Sequence, residues 1–144
     1  RNPDHAGALH LYVHAVEASP TPERGAAAAD RLRELVPGSG HLVHMPSHIY
    51  ILTGDYHLGT LANVEAAKLD SAYITACHAQ GAYPLAYFPH NYHYLSATAT
   101  FEGNSKLAWA AARKVQENTA KDIMVQPGWG TLQHYYTIPL FLHG

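Results

Sequence analysis

Ile51-Leu52-Thr53-Gly54-Asp55-Tyr56 is the stretch on which the fold turns. An apolar, β-branched end runs into Gly-Asp, and an aromatic residue restarts a helical pattern. Gly stops a helix because it enters the left-handed region without a Cβ penalty, so this reads as one helix closing and the next opening. Working outward, His41 to Thr53 precedes the turn as a helix and Tyr56 to Asp70 follows it, with Ala62, Ala66 and Leu69 on one face. Upstream, Ala8 to Ala18 is apolar with polar punctuation. Ser19-Pro20-Thr21-Pro22-Glu23 breaks the pattern and restarts it, because Pro suits the first helical position and Glu favours the positive helix end. Glu23 to Leu35 follows, stopped by Pro37-Gly38-Ser39-Gly40. Downstream, His90 to Glu102, Ser105 to Asn118 and Thr131 to Leu142 read as further helices. No stretch alternates with period two, so the fold class is all-α. Pro46 lies inside a helical pattern and should kink it, because it lacks an N–H.

The 144 residues make one domain, and 47% are apolar, enough for a core. Only 14% are charged and the net charge is −2, so there is no basic face for nucleic acid. No apolar run is long enough to span a membrane. A single cysteine, Cys77, excludes an internal disulfide and a cysteine-built zinc site. It leaves the compartment open and is compatible with an extracytoplasmic protein. The 12 histidines outnumber the 9 Lys and Arg, and full protonation would carry the net charge to +10.

A shift of 34 residues carries His10 onto His44 and His14 onto His48. That period, the Gly54-Asp55-Tyr56 turn, the small residues Gly59 and Ala66, and the second turn Glu102-Gly103-Asn104 with Ala108 and Ala112 resemble the tetratricopeptide repeat. The strings at 10–19 and 41–50 and Phe88-Pro89-His90-Asn91-Tyr92-His93 are similar to those of a His-rich group of longer bacterial tetratricopeptide proteins. The resemblance implies a right-handed α-solenoid of about three and a half helix–turn–helix units, near 6–39, 40–73, 89–122 and 130–144, with an irregular insert at 74–88. With no Met at the start and half a unit at the end, the chain reads as an interior piece of a longer protein, whose open ends could stack into a homo-oligomer or filament.

The resemblance also implies that one face of each first helix lines a concave groove. His10, His14, Glu17, His41, His44, His48, His90, His93 and His134 fall on that face. Helix geometry agrees: His10–His14 and His44–His48 are i, i+4 pairs, and His41–His44 and His90–His93 are i, i+3 pairs. Imidazoles so spaced can share a transition metal, here zinc, copper, iron or nickel. Glu17 would be a ligand or an acid/base. The alternatives are a metal-free groove that takes a peptide, glycan or protein, and histidines that merely tie helices together. Tyr12 and Tyr92 are candidate hydrogen-bond donors to a ligand, and Tyr50 and Tyr94 are expected to fill the layer between helices. Gly81 to Pro89, with Tyr87, is too apolar for a free loop and is expected to close over the groove near His90 and His93, with Trp129 doing the same from the other end. His5, His57, His78 beside Cys77, and His143 carry no comparable pattern. There is no HExxH, phosphate loop or Gly-x-Ser-x-Gly elbow.

Overall fold

The computed structural model describes residues 2–142, and among them there are helices and no strands. Helix α1 spans Ala6–Glu17 and is capped by His5, whose Nδ1 accepts the Ala8 N–H at 3.1 Å. The break at Ser19–Thr21 leads into a 3-10 turn, Pro22–Gly25, and α2 then runs Ala26–Leu35. The helix expected from Glu23 therefore starts with a tighter turn. Helices α3, Gly40–His44, and α4, Pro46–Thr53, are two parts of the single helix expected at 41–53. Met45 between them keeps helical dihedrals (φ −50°, ψ −37°), while Pro46 contributes no N–H. Gly54 at φ +90° ends α4, and the Asp55 N–H reaches back to the Tyr50 carbonyl at 2.9 Å.

Helix α5, Tyr56–Cys77, is longer than the pattern suggested, because nothing between Asp70 and Cys77 opposes a helix. It stops at His78, which adopts φ +49°. A single π-turn, Tyr83–Tyr87, leads directly into α6, Phe88–Phe101. The segment expected to be an irregular insert at 74–88 is thus mostly helical. Gly103 at φ +81° repeats the Gly54 turn, and Asn104 caps α7, Ser105–Glu117. Irregular turns connect to α8, Gly130–Phe141. His143 lies outside the described residues.

Successive helices pack on each other: α1 on α2, α3 and α4 on α5, α5 on α6, α6 on α7 and α7 on α8. A second set of contacts links α1 to α4, α4 to α6 and α6 to α8. Two apolar clusters anchor the ends. One is built from Val13, Val16, Ala29, Leu32, Met45 and Ile49, the other from Ala112, Val115, Leu132, Tyr135 and Ile138. The elements between them bury polar side chains instead: His44, Ser47, His48, Thr60, Asn63, Asp70, Asn91 and Thr98.

Asp70 shows how tightly that middle layer is built. Its carboxylate is completely buried and accepts from Tyr83 Oη at 2.6 Å and from Asn91 Nδ2, so it pins α5 to the π-turn and to α6. Burial raises its pKa, and the two hydrogen bonds oppose the rise without cancelling it. A Cβ at Gly40 would sit 1.9 Å from Asp70 Oδ1 and 2.8 Å from the Ala66 carbonyl, so α3 reaches this place only with glycine there. Gly40→Ala is expected to lower unfolding free energy by about 2 kcal/mol, within the usual cost of overpacking. Urea unfolding followed by circular dichroism checks this, and an unchanged midpoint would contradict the close approach.

Candidate metal centre

Four helices converge on one cluster. Helix α1 carries His10, His14 and Glu17 on one face, α3 and α4 carry His41, His44 and His48, and α6 brings His90. The i, i+4 spacing on α1 puts the His10 and His14 rings 4.7 Å apart. Across the Pro46 break, His44 and His48 remain neighbours at 4.8 Å. Between helices, the His10 and His41 rings are 5.1 Å apart, His14 and His48 5.0 Å, and His44 and His90 4.8 Å. Ligand atoms of three triads lie within 4.8 Å of one another: His44, His48 and His90; His10, His14 and His41; and His14, Glu17 and His48.

The hydrogen bonds identify which ring nitrogens carry protons. Asn63 donates its amide Nδ2 to the Gly59 carbonyl at 2.8 Å, which turns Oδ1 toward His44 Nδ1 at 2.6 Å. His44 therefore holds its proton on Nδ1, and Nε2 bears a bare lone pair. Glu17 accepts from His14 Nδ1 at 2.7 Å through Oε1 and from His48 Nδ1 through Oε2. Burial would raise the Glu17 carboxyl, but the bonds from His48 and His14 outweigh it and hold the pKa near 2. Glu17 is thus an acceptor at neutral pH, and His48 too has a bare Nε2. These two bare nitrogens face each other at 2.9 Å. His90 Nε2 stands 3.4 Å from His48 Nε2, and its Nδ1 lies 3.2 Å from the Tyr135 hydroxyl.

The surroundings disfavour the charged form of His41, His44, His90 and His93. His44 is fully buried and His48 nearly so. Burial first, then the neighbouring imidazoles, pushes His41 down to about 4, His90 to about 3 and His44 well below its ordinary value. His93 falls to about 4 by burial and by its neighbour His134.

His93 and His134, expected in the same cluster, form a separate pair with rings 5.3 Å apart. Tyr135 divides them from it: its ring lies 5.4 Å from His93 while its hydroxyl meets His90. Tyr12 does not reach the cluster; its hydroxyl donates to the Arg24 carbonyl in the first turn. Tyr92 packs against Phe88 and the α7–α8 apolar cluster, and Trp129 packs on that same cluster, so neither faces the histidines. Trp129 is no lid because its large apolar surface is better buried against that cluster. The 81–89 segment does reach the mouth, but at His41, where the Tyr87 ring sits 4.8 Å away. A cavity of about 290 Å³ opens there, bounded by His10, His14, His41, His48, Tyr87 and His90.

Four participants escaped the sequence reading. Asn63 and Ser47 hold His44 Nδ1, at 2.6 and 3.2 Å. Tyr94, expected as interhelical filler, stacks 4.4 Å from the His48 ring and brings its hydroxyl to 3.1 Å from His48 Nδ1. Its position four residues after His90 on α6 was the available signal. Tyr135 had none beyond lying next to His134. Tyr50 fills the interhelical layer as expected, with its hydroxyl on Asp30. His57 is exposed and pairs with Glu102 at 3.0 Å, and Cys77 is exposed at the end of α5.

No family model matches the chain, and comparison with curated proteins and with solved structures finds no match.

The depressed histidine pKa values set a pH dependence. In the unfolded chain a histidine titrates near 6.5, so between about 6.5 and 4 the unfolded state binds more protons than the folded one. The associated stability is complete above about 6.5 and is lost as pH falls toward 4 and 3, through the folded values of His41, His93 and His90. The melting temperature of metal-free protein should therefore drop steadily over that window. A flat profile from pH 7 to 4 would contradict the burial of these rings.

Proposed function

We propose that this chain is a tetratricopeptide-like helical scaffold whose groove binds a transition metal through Nε2 of His44, His48 and His90. The solenoid reading rests on two turns of one kind, at Gly54 and Gly103, each with a backbone bond reaching five residues back. It rests also on the contact series α1, α4, α6 and α8, which together with α3 carry the groove histidines.

One observation carries the metal reading. Two buried imidazole nitrogens, each stripped of its proton by the bond its other nitrogen makes, face each other at 2.9 Å. Two lone pairs repel at that distance unless a cation lies between them. A proton held on His44 itself is disfavoured by that ring's burial. A metal suits the geometry: with metal–nitrogen bonds near 2.05 Å, separations of 2.9 and 3.4 Å subtend angles of about 90° and about 110°. The outer partners are those a metal-binding histidine normally has. Asn63 holds His44, Glu17 holds His48, and Tyr135 meets His90. Both Glu17 oxygens are engaged by imidazole N–H groups, so Glu17 orients ligands rather than binding metal.

Three imidazoles and no thiolate suit zinc, copper or iron. Such a set leaves a coordination position open, and the cavity gives a small molecule access to it. A metal there would supply Lewis acidity or a redox couple, and the chain's own contribution is to orient the ligands and limit water.

Protein purified without a metal-affinity step, stripped with chelator and reloaded with zinc, copper or iron should retain tightly bound metal on gel filtration. The double substitution H44A/H48A should weaken binding by more than the roughly 10–100-fold that loss of an outer partner costs. His90→Gln, at a less buried ligand, gives a second variant if the double one misfolds. Protein that takes up none of the three metals would sink the reading.

A further inference from the structure

The structure points to a second metal position in the same groove, and we propose that it is formed by His10, His14 and His41 at the mouth, with Glu17 as the carboxylate that serves both positions. This rests on the reading of His44, His48 and His90 as a metal centre, and extends it from one ion to two.

Three observations carry it. First, two of the three rings, His10 and His41, lack any structural bonding that accounts for their placement. Among the described residues His10 makes one side-chain hydrogen-bond contact, between its Nε2 and His41 Nε2 at 3.1 Å. His41 Nδ1 is buried with no partner. Buried ring nitrogens are normally paired with protein or solvent; among the described residues no acceptor fixes the tautomer of either ring, so both Nε2 atoms can turn a lone pair toward a cation. A separation of 3.1 Å subtends about 100° at a metal with bonds near 2.05 Å.

Second, His14 is prepared as the third ligand. Its Nδ1 proton is committed to Glu17 Oε1 at 2.7 Å, which leaves Nε2 free, and its ligand atom lies within 4.8 Å of those of His10 and His41.

Third, the two triads are linked through one acid. Glu17 Oε1 fixes the tautomer of His14 in the outer triad, and Oε2 fixes that of His48 in the inner one. A single carboxylate thereby presets one ligand of each position and offsets part of the charge of both ions. The outer position borders the cavity and the His14 side chain is 36% exposed, so its ion exchanges more readily than the buried one. The ligand class is a divalent transition ion that favours imidazole, zinc or copper.

The test is metal stoichiometry by calorimetry and elemental analysis, with zinc and with copper, on wild type, H10A/H41A, H14A and Glu17→Gln. Circular dichroism controls for folding, and H14A serves if the double variant is unstable. Wild type should bind two equivalents in distinguishable steps. H10A/H41A and H14A should each keep the tighter step and lose the weaker. Glu17→Gln should weaken both steps, each by about 10–100-fold, because the neutral amide oxygen accepts more weakly than the carboxylate, serves only one of the two imidazoles and offsets no metal charge. One equivalent in wild type overturns the second position and leaves the inner one standing. Two equivalents retained in both His10/His41 and His14 variants overturn it as well, since the second ion then lies elsewhere. No metal in wild type overturns both.

Discussion

The carboxylate of Glu17 takes a hydrogen bond from His14 on its own helix and another from His48 on α4. Much of the centre follows from that one acceptor. It is ionised at neutral pH because two imidazole N–H groups outweigh the cost of its burial. Being acceptor-only, it compels both imidazoles to carry their protons on Nδ1. Both Nε2 atoms are then left bare. The same bonds tie α1 to α4 and so set how the first helix meets the rest of the groove.

The fold bears a cost for this arrangement. A chain with so few charges could have built its middle from leucine and valine, as its two ends are built. Instead it buries imidazoles, amides and a carboxylate between α3 and α6. Each such group loses hydration and recovers it only where a partner stands within reach. The partners are largely there: Asn63 for His44, Asp70 for Tyr83 and Asn91, and Thr98 for Thr60. Close backbone approach makes the network possible, since a Cβ at Gly59 would lie 2.8 Å from Thr98 and one at Gly40 would overlap Asp70. The ring nitrogens whose only partner is another ring nitrogen, His44 with His48 and His10 with His41, face each other across the groove. A bound cation would complete them, and the polar interior then reads as a site held in place by its own support.

Much of this was legible in the chain. Apolar periodicity and the Gly54 and Gly103 turns located the helices, because glycine is the residue that accepts a left-handed backbone at a helix end. Pro46 marked the break between α3 and α4. The histidines of α1, α3 and α4 showed as a shared face, because spacings of three and four are a property of the helix itself. At the site, where the reading strayed, the cause was contact between distant residues. His93 has the spacing of a ligand, yet Tyr135 from α8 stands between it and His90. Tyr92 and Trp129 resembled ligand contacts, but the apolar cluster at the far end claimed them. Helix α5 continued to Cys77 because residues 71–77 contain no proline or glycine to stop it.

The sequence by itself determined that the chain is helical, where its turns fall, and which histidines share a helix face, since each depends on residues within a few positions of one another. Only the tertiary structure decided which of those faces meet, that Asn63 and Tyr94 join the centre, and that Glu17 reaches two imidazoles at once. Proton placement on a ring nitrogen depends on which acceptor lies opposite it, and that acceptor sits on another helix. His48 and Glu17 are 31 residues apart in the chain and become neighbours only when α1 packs on α4.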